Sequence, residues 1–432
     1  MNKKAVRIDR LQNVVIVLLS LSAALLFLQT PLFGDLAGKT LPELIGDVLS
    51  SEQTSSGSTV ELSDFASPVR IVFTNAYTRC GIDALTLLDD DFSHAGTFLS
   101  EAIGSAGVAL PSSQDAFLTA LHGSGIYFDF TIGIPLDILS DSLNTTVPLT
   151  QELFVRRALL SPGEDGTVHL YLLDPSGSCC VCSTALSASE LSAYLDSLNG
   201  TEVDFAYSLP ESYGMLSPFT LIMEEPTAHC TLTAASALSE ITLSDFLRLA
   251  EFNPHTENRY TESSGTTVVR ESYGTLRLSP DGTVTYHGGS ADAGSLYTIT
   301  PDKEGVSLTE AVAAAQKLGS RLLQDYCGAA SLYLSSVNRS TNGYLVTLDY
   351  VVDGTPLRFS DGSHAVSITI EDSFITAFTI HFKTYSLTDT DSLLLPIPLS
   401  AAIAKNRYEG CELSVYYVDR GTDTVCVDWI AS

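Results

Sequence analysis

The stretch Tyr273-Gly274-Thr275-Leu276-Arg277-Leu278-Ser279-Pro280-Asp281-Gly282-Thr283-Val284-Thr285-Tyr286-His287 decides the fold class. Leu276 and Leu278 alternate with polar residues, as do Val284 and Tyr286. That is the period-2 pattern of strands with one buried face. Between the two runs, Pro280 presets a turn and Gly282 supplies a left-handed residue. The sequence therefore predicts an antiparallel hairpin over 273–287.

Working outward, a helix period covers Leu243 to Phe252 and ends at Asn253-Pro254. A longer amphipathic stretch, Ser307 to Tyr326, has Ser307 as cap and Glu310 at the capping-box position. Four strand-like runs follow it, 330–337, 344–352, 365–370 and 374–382. Helix followed by antiparallel strands, at 243–288 and again at 307–383, suggests two related α+β units. A short helix at 399–405 and two strands at 412–418 and 424–430 end the chain. A turn centred near Gly421 would put Cys426 opposite Tyr416. Cys411 would then lie about 17 Å further along, too far for a disulfide, which needs Cα atoms within roughly 7 Å.

The first half reads similarly. A strand at 68–74 precedes helices at 89–103 and 112–121, the second capped by Ser112 or Ser113. A strand at 125–131 leads to a helical turn opened by Ile134-Pro135. Turn residues PGEDG and DPSG separate runs 153–160, 168–173 and 178–184 into a three-stranded meander. A helix at 187–198 has Ser187 and Glu190 as a capping box, and strand-like pieces 203–208, 218–224 and 227–233 close this half.

Nearer the N-terminus, Val14 to Phe33 reads VVIVLLSLSAALLFLQTPLF, without a charge. Twenty helical residues span roughly 30 Å, the thickness of a bilayer's hydrocarbon core. Lys3, Lys4, Arg7 and Arg10 precede it, so the positive-inside rule puts the N-terminus in the cytoplasm and the remainder outside. A cleaved signal peptide is the competing reading; the length of the run and the lack of an A-x-A site favour an anchor. The expected organisation is a cytoplasmic tail 1–12, a transmembrane helix 13–33 in the lipid bilayer and a juxtamembrane linker 34–66. An α+β domain 67–240, a central helix-plus-hairpin unit 241–300 and a C-terminal α+β domain 301–432 follow. Ser20 and Ala24 lie four apart with Ala23 beside them, and Val17 and Phe27 continue that face. Small residues there let a second helix approach closely, which makes Val17, Ser20, Ala23, Ala24 and Phe27 the candidate partner-binding residues.

The 22 Lys and Arg against 51 Asp and Glu give a net charge of −29, which repels nucleic acid. The eight cysteines include Cys179, Cys180 and Cys182. Without a second Cys/His pair at finger-like spacing, they read as buried small side chains or one disulfide rather than a zinc site. In a strand, Cys180 and Cys182 share a face and Cys179 takes the other. The sequence has no G-x-S-x-G, H-E-x-x-H, Walker or dinucleotide fingerprint, so no catalytic, metal or cofactor residue is assigned. Asp89-Asp90-Asp91 reads as the acidic start of a helix, and His94 and His122, with serines nearby, as the neighbourhoods where a nucleophile site could assemble.

The run Asn258-Arg259-Tyr260-Thr261-Glu262 and the following Thr267 to Tyr286 resemble the central hairpin of YycH/YycI-type proteins, and Tyr416-Tyr417 and Trp429 resemble that family's C-terminus. The N-terminal half, including Gly125 to Phe130, is closer to the longer YycH-like form. The resemblance implies a single-pass, non-catalytic regulator of the WalK (YycG) sensor histidine kinase, linked to cell-wall homeostasis. Its partners would be that kinase and a related YycI-like regulator. The rival readings are an extracytoplasmic ligand- or wall-binding protein and a membrane-tethered hydrolase.

Overall fold

A computed structural model describes residues 68–432 apart from 76–78, 83–89, 150–152, 199–200, 224–227, 289–295, 302–304, 324 and 406–409. The hairpin forms where the alternation puts it. Strands Gly274–Leu278 and Thr283–Gly288 pair antiparallel, with Leu276 opposite Tyr286. The Ser279 amide bonds Thr283 O at 2.8 Å, the Gly282 amide bonds Ser279 O at 3.0 Å, and Gly282 has φ +92°. This is a three-residue loop whose last member needs the left-handed region. At Gly274 the reason is space: a Cβ there would lie 2.5 Å from the Tyr286 ring. That ring packs edge-on against Phe252 and Tyr297 and stacks on Phe378.

The described strands form two sheets. The first has nine, in the order Leu110–Ser112, Cys179–Ser187, Thr167–Leu173, Phe154–Pro162, Gly125–Pro135, Arg70–Thr74, Arg79–Ile82, Thr201–Phe205, Leu221–Met223. The expected meander fills its second to fourth positions. Helices Asp90–Gly104, Gln114–Leu121, Leu136–Ser142 and Ala188–Ser197 belong to this half. Ser113 caps the second, accepting from the Ala116 amide. Cys182 and Cys180 pack into one core and Cys179 into another, as alternation requires.

The second sheet runs from Arg259–Thr261 through the hairpin to Phe374–His381, Val366–Glu371 and Gly343–Val352. It continues through Thr355–Phe359, Leu413–Asp419, Thr424–Ala431 and Cys230–Ser236 to Lys383–Asp391, while Ala330–Arg339 pairs with Gly343–Val352 off this path. The two helix-plus-strand units are thus fused edge to edge, Tyr286 lying opposite Phe378. Helix Leu308–Leu323 buries Val312, Ala315, Leu318 and Leu322.

Four expectations are corrected. Strand Cys230–Ser236, read as closing the first half, belongs to the second sheet, with Leu232 opposite both Leu387 and Val425. Strand Thr355–Phe359 was missed because Pro356 argues against a strand, and Lys383–Asp391 because its TDTD end is polar and exposed. In the terminal hairpin Cys426 faces Val418, two residues from the expected register, and Tyr416 faces Asp428. The ladder closes about Thr422 rather than Gly421, and that one-residue move of the centre shifts the pairing by two. Cys411 and Cys426 are both free thiols. Finally, Ser187 stands at its helix N-cap without a side-chain cap bond, and its hydroxyl pairs with that of Ser189. It is still a strand residue opposite Thr167, which fixes its side chain away from the helix amides.

Ser307 does form its box: its Oγ accepts from the Glu310 amide at 3.2 Å, and its own amide donates to Glu310 Oε2 at 2.7 Å. Ser307→Ala should therefore cost about 1 kcal/mol in urea denaturation, whereas Ser187→Ala should stay within about 0.5 kcal/mol of the parent.

Candidate functional site

Charged residues lie inside apolar strand runs at Arg70, Asp129 and Arg157, and the register aligns them across three neighbouring strands. Arg70 is opposite Asp129, and Asp129 is opposite Arg157. The pairing of Gly125–Pro135 with Phe154–Pro162 slips between Asp129 and Ile134. A slip of this kind breaks the up-down alternation, so adjacent Arg156 and Arg157 can serve one cluster. Asp129 is fully buried, and its carboxylate is held by both Arg70 and Arg156. Glu412, just before the last hairpin, reaches the same group. It pairs with Arg70 at 2.7 Å, with Arg156 at 3.4 Å and with Arg157.

Arg157 Nε donates to the Tyr127 hydroxyl at 2.9 Å, and its guanidinium lies 4.3 Å from the Phe219 ring centre. Burial, then the nearby Asp129 charge, holds the Tyr127 phenol well above its usual range, so it stays a neutral acceptor. Among the described residues, three guanidiniums thus face two carboxylates in a nearly dry setting.

Arg156, Arg157 and Glu412 also line a cleft of about 640 Å³. Its walls include the turn Pro175-Ser176-Gly177 and strand residues Ser335 to Asn338. A second cleft of about 390 Å³ is lined by Asp361, His381, Lys383 and Asp419.

As a whole, the chain superposes on the crystal structure of YycH from Bacillus subtilis with a TM-score of 0.56. The match has 11% sequence identity and covers 88% of this chain and 96% of that one. The chain has a YycH-like fold. No family model and no curated protein matches the sequence.

In this YycH-like fold the hairpin that carried the resemblance is formed, extended by strands Arg259–Thr261 and Thr267–Glu271. The candidate helix-face residues Val17, Ser20, Ala23, Ala24 and Phe27 lie outside the described residues, as do the tail and the linker to residue 66. Among the described residues no helix is long and apolar enough to cross a membrane. No group of three or more His, Cys, Asp and Glu suited to a metal occurs among them either.

The His94 ring packs near Tyr194 and the His122 ring against Tyr207. A serine does lie near a histidine elsewhere: Ser363 Oγ is 3.3 Å from His381 Nδ1. Its hydroxyl instead donates to Asp361 Oδ1 at 2.7 Å, and its amide bonds the same oxygen at 2.9 Å. This closes a turn and commits the hydroxyl proton to a carboxylate. The arginine cluster was missed by the sequence reading, although its signal was visible. Single charges stand within PVRIVF and IYFDF, and two arginines are adjacent in an acid-rich chain.

Glu412→Gln removes one of two buried anions, so it should cost about 3–5 kcal/mol in urea denaturation. Arg420→Gln, which breaks the exposed pair with Asp428, should cost under about 1 kcal/mol. Burial lowers the pKa of His229 and His381, whereas the Asp349 hydrogen bond raises that of His364. For the two depressed histidines the unfolded chain binds protons first, so stability is lost as pH falls below about 6.5. His364 acts oppositely: it contributes below that pH, and the contribution disappears as pH rises through its raised pKa. In denaturation series from about pH 7 to about pH 5, His381→Asn should lose stability less steeply than the parent, and His364→Asn more steeply.

Proposed function

We propose that this chain is a non-catalytic regulator of a membrane sensor histidine kinase serving cell-wall homeostasis. Residues 13–33 would anchor it, with the N-terminus cytoplasmic and the folded part extracellular. The observation that carries this reading is the YycH-like fold over 88% of the chain. The apolar run is the element that places the protein beside a kinase's own membrane helices. Its small-residue face, Ser20 and Ala24 with Ala23, is the surface on which another helix packs. A related YycI-like regulator is the second partner in this arrangement. A ligand-binding role without a kinase is the alternative that the larger cleft favours.

Association decides between them. Full-length protein should pull down a histidine kinase from solubilised membranes. Leu at positions 20 and 24 (Ser20→Leu, Ala24→Leu) should reduce the captured kinase by about ten-fold, because close backbone approach is lost while hydrophobicity is kept. Ser22→Leu, on the far face, should change it little. Full capture after exchange for a foreign anchor would confine the helix to tethering, and absence of any captured kinase would leave the ligand-binding reading.

A further inference from the structure

Of the ten large apolar side chains that are exposed among the described residues, four fall within residues 393–403. They are Leu393, Leu395, Leu399 and Ile403, each between 48% and 95% exposed. They belong to the run Ser392 to Ala404, SLLLPIPLSAAIA, which has no charge although 17% of the chain is charged. The fold turns the polar groups of this run inward. Ser400 is buried, and Ser392 Oγ accepts from the Val427 amide at 3.0 Å. Helix Ile397–Lys405 buries Ile397, Ala401 and Ala404 in one cluster with Leu413 and Ile222. Its period leaves Leu399 and Ile403, four apart, on the outer face. Just before the helix, Leu394 packs against the core, with exposed Leu393 and Leu395 on either side of it. Trp429, the single tryptophan of the chain, donates its indole N–H to Leu395 O at 2.7 Å. Val69 lines a pocket with Trp429, so the patch lies beside the start of the described chain.

We propose that this patch rests on the surface of a lipid bilayer, with helix Ile397–Lys405 lying in the interface and Leu399 and Ile403 among the acyl chains. Clusters of exposed apolar side chains mark contact with a membrane or with another protein. A protein partner is held through aromatic and Arg anchors and paired hydrogen bonds. The outer face here is Leu, Ile, Ala and Pro, without a side-chain group to pair, and Trp429 beside it has its N–H committed to Leu395 O. An apolar medium asks for no such group. Lys405, exposed in the last turn, can lay its stem on the surface and reach the headgroups. The acidic chain gains nothing from anionic lipid, so the attraction is apolar and neutral lipid suffices. Residues before Val69 lead back to the apolar run 14–33, so the chain arrives from the proposed anchor on the side that bears the patch. This contact rests on the anchor proposed above and is independent of the kinase. Two attachments, unlike one, fix which face of the fold looks away from the bilayer.

The test reconstitutes the full chain into neutral phosphatidylcholine vesicles, with and without bromine on the acyl chains, and reads the fluorescence of Trp429. Brominated lipid should quench the parent about two-fold. Leu399→Glu together with Ile403→Glu should reduce the quenching to under about 1.2-fold, because carboxylates are driven out of the acyl region. Leu393→Glu, which replaces an almost fully exposed side chain outside the helix and leaves packing untouched, should weaken it as well. Leu110→Glu should leave it unchanged: its strand ends the first sheet opposite Leu221–Met223, which lines the Trp429 pocket. Flotation of the vesicles after a carbonate wash reports the anchor separately. A chain that floats but is not quenched, or quenching that survives both the helix substitutions and Leu393→Glu, would overturn the bilayer contact and leave the anchor standing. A chain that does not float would overturn both. If it floats unquenched and the same substitutions dissociate a dimer or lower the captured kinase, the patch belongs to a second copy or to that protein instead.

Discussion

Asp129 sits in the middle of a nine-stranded sheet with no exposed surface, and a carboxylate there is tolerable only if cations are held against it. Arg70 and Arg156 supply them, and their remaining charge is met by Glu412, almost at the end of the chain. Arg70, on the first described strand in chain order, is thereby tied to Glu412 at the start of the last hairpin. Apolar contact alone would let such layers slide; fixed fork geometry between guanidiniums and carboxylates sets one arrangement. The cluster adds little net stability, because desolvation offsets most of its attraction. Its contribution is to position the cleft wall.

Much of the architecture was legible in local pattern. Alternation around Pro280-Asp281-Gly282 gave the central hairpin, the PGEDG and DPSG turns gave the meander, and the Ser307–Glu310 box gave a helix start. What was not legible depends on distant partners. Cys230–Ser236 carries no mark saying which sheet will take it, and Lys383–Asp391 is polar because it lies at an edge. The terminal register was shifted by two residues because connection length does not fix where a ladder closes. The arginine cluster was only half legible. Isolated charges in apolar runs announce buried pairs, but which charges meet is decided by register and by a slip in it.

The fold match at 11% identity shows how little of this pattern needs particular side chains. Alternation, a left-handed turn residue and a few capping groups are met by many sequences. Gly274 illustrates the exception, since Tyr286 occupies the space that any side chain there would need.

The place of Cys230–Ser236 between Thr424–Ala431 and Lys383–Asp391 also bears on how the protein is made. Its partners leave the ribosome long after it does. At about 5–20 residues per second, roughly 200 residues of further synthesis keep that strand waiting for about 10–40 s. The described strands of the first sheet are all made by Met223, so it can assemble early. The second cannot close until the final hairpin arrives, so the growing chain must be kept from pairing elsewhere in the interval.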